Sequence, residues 1–403
     1  MEVIVLAGGL GTRLRSVVHE IPKCLAPIGG KPFLGYLLDW LEEYPVHHVV
    51  FSVGYLREQV IDYVKSREWP FSYDFAIEDT PLGTGGGIRL ALGKCHENQV
   101  FVVNGDTFFP VNLNAMPGTH AVTLALKPMK DFDRYGAVEI AGQAGNDGPS
   151  YPAPTGHLIT RFHEKQHCEE GLINGGVYLL DRSRLDLSTL PEKFSFEKEV
   201  LEPGVAIGEI GGWVSDAYFI DIGIPEDYRK AQWAIPAWFA VQDASEAVLK
   251  ADATTLFLDR DGVLNRHLPG DYVRTPQMWE WMPGILQALA RWSQKFRHIV
   301  LVTNQRGVGK GVMTDAQLAQ VHSQMMQDIL EAGGRIDLIL TCTAVSDDDS
   351  RRKPNPGMFY EAGDLFPDID AKSSVMLGDS QSDAAFAKNC DISFILLNPE
   401  EAS

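Results

Sequence analysis

The stretch FLDRDGVLN, residues 257–265, is an apolar run that ends in two aspartates, Asp259 and Asp261. Ligands of α/β proteins bind at the carboxyl ends of the strands, which is where polar residues after a buried strand lie. Two residues apart at a strand end, both carboxylates can point into one cleft. The stretch therefore predicts an α/β domain with an acidic site in the second half of the chain.

The alternation of β-branched runs with helix-like stretches extends from residue 257 in both directions. It predicts mostly parallel sheets covered by helices on both faces. The predicted strands are VIVLAG (3–8), HVVFSV (48–53), VFVVNGD (100–106), TLFLD (255–259), HIVLVTN (298–304) and SVMLGD (374–379). The predicted amphipathic helices are FLGYLLDWLEEY (33–44), LREQVIDYVKSR (56–67), ILQALARWSQKF (285–296) and DAQLAQVHSQMMQDILEAG (315–333).

The length of 403 residues exceeds what one hydrophobic core usually serves, so two domains are expected. We assign residues 1–234 to the first domain, 254–403 to the second, and 235–253 to a linker that is a packed spacer rather than a flexible tether. The Gly- and Pro-rich segment 142–156 is expected to be a surface loop of the first domain.

The net charge of −19 argues against a nucleic-acid-binding protein, which needs a broad basic face. No apolar run is long enough to span a membrane, and the N-terminus lacks the features of a secretory signal. The five cysteines are scattered and form no CxxC pair. We therefore expect a cytoplasmic protein with reduced thiols. The sequence leaves the oligomeric state open, a homo-oligomer included.

Glycine-rich and basic segments follow the first strand. The glycines of LAGGLGTRLRS (6–16) allow backbone amides to approach an anion, and Arg13 and Lys23 supply fixed positive charge for a polyphosphate. Further polar motifs come in order along residues 1–230: IPKCLAPIGGKP (21–32), PLGTGGGIRLAL (81–92), NGD (104–106), FHEK (162–165), NGGVYLL (174–180) and DIG (221–223).

This ordered set resembles the sugar-1-phosphate nucleotidyltransferase family, and within it most of all heptose-1-phosphate guanylyltransferases. The resemblance implies a Rossmann-like, GT-A-like domain in which a sugar-phosphate oxygen attacks the α-phosphorus of an NTP. It implies Mg²⁺ ligation by Asp106 and Asp221, and neutralisation of the triphosphate by Arg13 and Lys23. The matching nucleotide-binding positions are Leu6, Ala7, Gly8, Gly9, Gly11, Thr12, Glu78, Gly83 and Gly85, and the sugar-phosphate positions are Glu164, Lys165, Asn174 and Gly175.

A carboxylate at position 78 could accept hydrogen bonds from guanine N1–H and N2–H₂. A surface glutamate with no ligand is an equally good interpretation of Glu78.

A second ordered set follows FLDRDGVLN: LVTNQRGVGKG (301–311), RRKPNPGMF (351–359) and VMLGDSQSDAAFA (375–387). GVGKG is no P-loop, because Gly311 rather than Ser or Thr follows Lys310. The set resembles the haloacid-dehalogenase (HAD) phosphatases, in particular heptose-bisphosphate and histidinol-phosphate phosphatases. The resemblance implies a HAD-like, Rossmann-like domain with catalytic residues Asp259, Asp261, Thr303 and Lys353, Mg²⁺ ligands Asp259, Asp261 and Asp379, and substrate contacts from Asn304 and Arg352.

In that chemistry Asp259 would attack phosphorus, and Asp261 would protonate the leaving alkoxide and then assist water. Asp383 is either a further acidic neighbour of this site or only a residue at a helix N-terminus. Such phosphatases commonly carry a Cys/His zinc loop, whereas this chain has CTAVSDDDSRRKPNPG with only Cys342 as a match. One thiol cannot form a four-ligand site, so no zinc is expected.

The two sets together predict one enzyme for two consecutive steps, with GTP and heptose phosphates as substrates. The distal phosphate of a heptose 1,7-bisphosphate would be removed, and GMP would then be joined to the 1-phosphate. Two alternatives remain at this point. The chain could act on another sugar or with UTP or CTP, or one domain could be a non-catalytic regulatory module.

Overall fold

A computed structural model describes residues 1–9, 14, 18, 20–142 and 156–398 of the chain. The chain divides into two compact units, Met1–Gln232 and Trp233–Ser403. The division falls within the helix Pro225–Lys250, which also contains most of the segment 235–253 that the sequence assigned to a linker. Several side chains of that segment, among them Val241 and Val248, belong to the core of the second unit. Most of the predicted surface loop 142–156 lies outside the described residues.

The N-terminal unit forms strands and helices at the apolar runs identified in the sequence. The strands are β1 (Glu2–Leu6), β2 (Pro27–Ile28), β3 (Lys31–Pro32), β4 (His48–Val53), β5 (Ser72–Ile77), β6 (Gln99–Asn104), β7 (Thr107–Phe108), β8 (Val122–Phe132), β9 (Gly136–Ile140), β10 (His157–Lys165), β11 (Cys168–Asp181), β12 (Ile210–Val214) and β13 (Ile220–Asp221). The helices are α1 (Phe33–Glu42), α2 (Arg57–Lys65), α3 (Gly83–Leu92), α4 (Glu202–Ala206) and the start of α5 (Pro225–Lys250), which continues into the second unit. There are 3-10 turns at Lys23–Leu25 and Leu113–Ala115 and a π-helical turn at Glu197–Leu201.

The nine-stranded sheet of this unit has the order β5-β4-β1-β6-β11-β8-β12-β10-β9 in the described residues. Strands β5, β4, β1 and β6 are parallel, as predicted. Beyond β6 most pairings are antiparallel, so the expectation of a mostly parallel sheet is wrong for this half. The reason is that no helix is described between β8 and β11, and parallel neighbours need a long crossover connection that antiparallel neighbours do not.

The C-terminal unit follows the predicted pattern throughout. Its strands are β14 (Thr255–Leu258), β15 (His298–Asn304), β16 (Leu338–Cys342), β17 (Ser374–Gly378) and β18 (Ser393–Leu396). Its helices are α6 (Ile285–Lys295), α7 (Arg306–Gly309), α8 (Asp315–Glu331), α9 (Gly357–Leu365) and α10 (Gln381–Asn389), with a 3-10 turn at Pro276–Met278. The five strands pair in parallel in the order β16-β15-β14-β17-β18.

Local signals explain where the C-terminal helices begin. Helix α8 starts at a capping box in which Thr314 and Gln317 satisfy each other's backbone amides, and Ser380 and Asp383 form the same motif at α10. The sheet is buried on both faces, with separate clusters around Leu256 and Leu258 on one side and around Phe257 and Met376 on the other. This two-sided burial leaves the strand ends as the places where polar side chains gather. Among the described residues, no helix has the length and apolar character needed to cross a membrane.

Candidate active sites

Three distant segments meet at the first site. Asp106 follows β6, Asp221 lies in β13, and Lys23 opens a 3-10 turn. β13 pairs with β7, which places Asp221 opposite Thr107 and so beside Asp106. The Lys23 ammonium nitrogen lies 2.6 Å from Oδ2 of Asp106 and 3.4 Å from Oδ1 of Asp221. The two carboxylates thus already share one cation.

The electrostatics of this pair favour a positive charge between its members. Burial raises the pKa of Asp221, and the neighbouring charge of Asp106 raises it further, whereas Lys23 opposes both. Mg²⁺ is commonly held by one or two carboxylates together with substrate phosphates. Asp106 and Asp221 therefore fit a divalent cation.

A cavity of about 760 Å³ opens beside the pair. It is lined by the predicted metal residues Asp106 and Asp221 and by the predicted sugar-phosphate residues Glu164, Lys165, Asn174 and Gly175. Glu164 and Lys165 end β10, and Asn174 lies within β11, where its side-chain amide donates to the Tyr178 hydroxyl at 2.9 Å. The volume is within the range of cavities that hold small molecules.

Five of the predicted nucleotide-binding residues lie at the carboxyl ends of parallel strands. Leu6 to Gly9 end and follow β1, and Glu78 follows β5. The Glu78 carboxylate accepts hydrogen bonds from the Ser52 hydroxyl and the Leu82 amide, both at 3.0 Å. Gly11, Thr12 and Arg13 lie outside the described residues.

The glycine-rich start of α3 has a packing role that the sequence did not reveal. A Cβ on Gly85 would lie 2.1 Å from the Phe194 ring, and a Cβ on Gly83 would lie 2.5 Å from the Phe194 carbonyl oxygen. The Gly85 amide also donates to that carbonyl at 3.1 Å. These glycines are thus required by the chain segment that packs on them, whatever ligand they contact.

At the second site, the parallel neighbours β14 and β17 end side by side, and Asp259 and Asp379 directly follow them. The Lys353 ammonium lies 2.7 Å from Oδ1 of Asp259 and 2.6 Å from Oδ1 of Asp383, a residue of α10. Carboxylate oxygens of Asp259, Asp379 and Asp383 all lie within 4.8 Å of one another. This group of hard oxygen donors fits Mg²⁺, and it contains Asp383 rather than Asp261.

Burial dominates the titration of this group. It raises the pKa of Asp259 to about 8, with a further contribution from Asp383 that the Lys353 charge opposes. It also raises the pKa of Asp379 to about 6, again helped by Asp383. Carboxylates that repel one another in this way are stabilised in the ionised form by a bound cation.

Asp261 has a different environment from Asp259. Burial raises its pKa, but the Arg260 guanidinium and hydrogen bonds from Asn265 and Gln305 outweigh burial, so that the net shift is downward. The Asn265 and Gln305 amides donate at 3.0 and 2.7 Å. The pKa values of two carboxylates only two residues apart are thus shifted in opposite directions.

Of the three remaining predicted phosphatase residues, Asn304 lines a cavity of about 500 Å³, whereas Thr303 and Arg352 do not. Asn304 exchanges two 3.0 Å hydrogen bonds with the backbone of Lys353, which fixes the lysine to the end of β15. Thr303 is fully buried, and its hydroxyl accepts from Gln305 at 2.8 Å. Arg352 binds Asp347 at 2.9 Å, and the Cys342 thiol lies 3.7 Å from Asp349.

Sequence reasoning missed several groups at both sites. In the first cavity these are Arg134, Tyr135, Tyr178, Lys198 and Phe219, and in the second His267, Tyr272, Lys310, Ser380 and Ser382. The spacing of Ser380 and Asp383 is typical of a helix cap and so indicated that role of Asp383. It gave no indication that Asp383 also contacts Lys353. That contact depends on tertiary packing, because the two residues are 30 positions apart.

Comparisons with known proteins match the two units separately. Residues 2–237 match the family described as Nucleotidyl transferase, and residues 256–402 match the family described as Polynucleotide kinase 3 phosphatase.

Named relatives cover the same two regions. The chain is 45% identical over 237 residues to the D-glycero-alpha-D-manno-heptose 1-phosphate guanylyltransferase of Aneurinibacillus thermoaerophilus, covering 58% of this chain and 97% of that protein. It is 39% identical over 135 residues to the D-glycero-alpha-D-manno-heptose-1,7-bisphosphate 7-phosphatase of Mycobacterium tuberculosis, covering 33% of this chain and 71% of that protein. The crystal structure of HddC from Yersinia pseudotuberculosis is 35% identical, with a TM-score of 0.49, and covers 57% of this chain and 97% of that one.

Proposed function

The chain belongs to the nucleotidyl transferase family through its N-terminal unit and to a phosphatase family through its C-terminal unit, and on that premise we propose one bifunctional enzyme of nucleotide-sugar synthesis. It removes the 7-phosphate of D-glycero-D-manno-heptose 1,7-bisphosphate. It then joins the heptose 1-phosphate to GMP from GTP and releases pyrophosphate.

The observation that carries this proposal is the presence of two sites in one chain, each with a lysine between two aspartates. Phosphoryl-group transfer needs positioned charge more than acid–base groups, and both sites supply it. The relatives of the two units act, by their names, on a heptose 1-phosphate and on a heptose 1,7-bisphosphate. The phosphatase product has the sugar that the transferase relative uses, which supports consecutive steps.

In the phosphatase half, a carboxylate oxygen of Asp259 attacks the 7-phosphorus while the bond to the sugar oxygen breaks. Asp261 gives a proton to that oxygen, and a water then hydrolyses the aspartyl-phosphate with Asp261 accepting its proton. The lowered pKa of Asp261 favours its ionised form, which is the form that accepts a proton from water in this second step. The first step needs the protonated form, which a phosphate dianion beside Asp261 favours by raising its pKa again.

In the transferase half, an oxygen of the sugar 1-phosphate attacks the α-phosphorus of GTP and pyrophosphate leaves. Lys23 and Arg13 neutralise the triphosphate, and Glu164, Lys165, Asn174 and Gly175 hold the sugar phosphate. Asp106 and Asp221 here, and Asp259, Asp379 and Asp383 in the phosphatase, would hold Mg²⁺. Bound Mg²⁺ supplies positive charge that offsets repulsion between the anionic nucleophile and the phosphate. We propose no zinc in either site.

The proposal that the base is guanine rests on the name of the transferase relative rather than on a contact in the structure. Both oxygens of Glu78 already accept hydrogen bonds, so a guanine would share them through the remaining lone pairs. Other nucleotides are therefore part of the test. We further propose a cytoplasmic enzyme, in keeping with five cysteines that are all free.

A phosphorus NMR time course tests the proposal. Purified protein and Mg²⁺ are mixed with the α-anomer of heptose 1,7-bisphosphate and with GTP, UTP, CTP or ATP in parallel tubes. We expect loss of the 7-phosphate signal in every tube, followed by a nucleotide-sugar signal and pyrophosphate in the GTP tube alone.

The other outcomes separate the alternatives. A nucleotide sugar in the UTP or CTP tube, and none in the GTP tube, would identify that nucleotide rather than GTP as the substrate. Phosphate release without any nucleotide sugar would support the phosphatase assignment and contradict the transferase assignment. That result is the one expected if the N-terminal unit is a non-catalytic regulatory module. No change in any tube would contradict heptose bisphosphate as the substrate.

A further inference from the structure

The cavity beside Asp259 is also lined by Lys310, the lysine of GVGKG, which no step of the proposed hydrolysis uses. A sugar bisphosphate brings two phosphates to this cavity. One lies against Asp259 and reacts, and the other is carried through the reaction unchanged. A dianion in a cleft with several carboxylates needs a cation of its own.

Among the described residues, three side chains that can carry positive charge line this cavity: His267, Lys310 and Lys353. Lys353 is already bound to Asp259 and Asp383. His267 lies 3.9 Å from Asp379. The Lys310 ammonium makes no hydrogen bond or ion pair within the described part of the chain, and its side chain is exposed. Of the three, Lys310 is thus the side chain whose charge is available to bind a phosphate.

Two arginines of the same region form ion pairs with Asp347. Arg306 and Arg352 both bind Oδ1 of Asp347, and Arg352 also donates toward the Ala344 carbonyl. One exposed carboxylate therefore neutralises part of the charge of two guanidinium groups. Neither arginine lines the cavity, whereas Lys310 does.

The backbone that carries Lys310 is held by close packing on two sides. A Cβ on Gly307 would lie 2.9 Å from Cγ of Tyr272, a residue that itself lines the cavity. A Cβ on Gly309 would lie 2.2 Å from the Thr343 carbonyl oxygen. The Lys310 amide donates to the Arg306 carbonyl at 3.0 Å. The lysine therefore extends from a fixed turn at the wall of the cavity.

We propose that Lys310 binds the phosphate that hydrolysis leaves in place, and that it thereby selects sugar bisphosphates over monophosphates. The inference rests on the proposed phosphatase function and assigns its specificity to a residue outside the hydrolytic group. A lysine suits this role because its ammonium is a compact charge on a flexible stem, able to follow a phosphate on a long sugar.

The test compares Lys310→Met, Lys310→Arg and the control Lys388→Met, which removes an exposed lysine of α10 that does not line the cavity. Each full-length variant is assayed for phosphate release from heptose 1,7-bisphosphate, heptose 7-phosphate and p-nitrophenyl phosphate. We expect Lys310→Met to raise KM for the bisphosphate about tenfold or more, with kcat little changed, because one charge-assisted contact is lost. KM for the two monoesters should not change.

Lys310→Arg should restore most of the bisphosphate affinity, and Lys388→Met should behave as the unmodified chain. Equal KM changes for all three substrates, or none, would overturn the role of Lys310 while the phosphatase stands. If the unmodified chain hydrolyses p-nitrophenyl phosphate but prefers neither heptose substrate, the bisphosphate function itself fails. An unchanged kcat for p-nitrophenyl phosphate verifies that the C-terminal unit of each variant is folded.

Discussion

The two units each hold a lysine between two aspartates, but they bury it to different depths. In the transferase unit, the side chains of Lys23, Asp106 and Asp221 are 13%, 39% and 25% exposed. In the phosphatase unit, those of Lys353, Asp259 and Asp383 are 2%, 12% and 0% exposed. The same charge arrangement is therefore a partly hydrated contact in one unit and part of the interior in the other.

The difference follows from what each reaction brings to its site. A triphosphate carries its own anionic oxygens, so the transferase can present two carboxylates and leave the rest of the metal coordination to the substrate. The proposed phosphatase mechanism calls for a desolvated carboxylate nucleophile and for a cation held by protein side chains. Among the described residues, the phosphatase site has a group of three acidic residues that could hold a metal ion. A buried carboxylate group is stable only while paired, and Lys353 provides that pairing.

The largest expected effect comes from Asp259→Asn, which removes the proposed nucleophile with almost no change of shape. We expect phosphate release to fall on the order of a thousandfold or more, with pyrophosphate release unchanged. Parallel assays of the two products measure both. Residual phosphate release near the unmodified rate would remove Asp259 from the nucleophilic role.

Replacing the two lysines compares the two burial depths directly. Lys353→Met leaves two buried carboxylates unpaired and should destabilise the C-terminal unit by about 3–5 kcal/mol. Lys23→Met breaks a partly exposed pair and should cost the N-terminal unit about 1 kcal/mol or less. Hydrogen–deuterium exchange of peptides from each unit reports their stabilities separately. Equal losses would show that burial does not distinguish the two pairs.

Asp106→Asn is the transferase counterpart of the first substitution. It keeps the size of the side chain and removes half of the charge that the pair offers to a cation. We expect pyrophosphate release to fall on the order of a hundredfold, a smaller effect because Asp106 does not form a bond to the substrate. Phosphate release serves as the internal control, and a drop in both activities would indicate general unfolding instead.

The smallest expected effect concerns metal stoichiometry. Titration with Mn²⁺, followed by its electron paramagnetic resonance signal, should detect one site per chain without nucleotide and a second when a non-hydrolysable GTP analogue is added. Asp379→Asn should lower the Mn²⁺ affinity of the first site and leave the affinity of the second site unchanged. Two sites of similar affinity without nucleotide would contradict the difference drawn between the units.

Many features of the fold were predictable from local pattern. Strands β4 and β15 coincide with their predicted ranges, and several others end only one or two residues earlier. Apolar runs had to be buried, and the polar residues that follow them could not continue into the core. The wrong expectation concerned the antiparallel half of the first sheet, where no periodicity distinguishes which strand becomes the neighbour of β6.

The sequence by itself determined the residue types at each strand end and the two families to which they point, because ordered motifs carry this information without any coordinates. Only the tertiary structure decided which charges meet. Lys23 contacts Asp221 across 198 positions, and Asp383 joins Lys353 through packing of α10 against β17. It also decided that the pKa values of Asp259 and Asp261, two residues apart, are shifted in opposite directions. The physical reason is that burial and charge neighbours are properties of three-dimensional surroundings, which spacing along the chain does not encode.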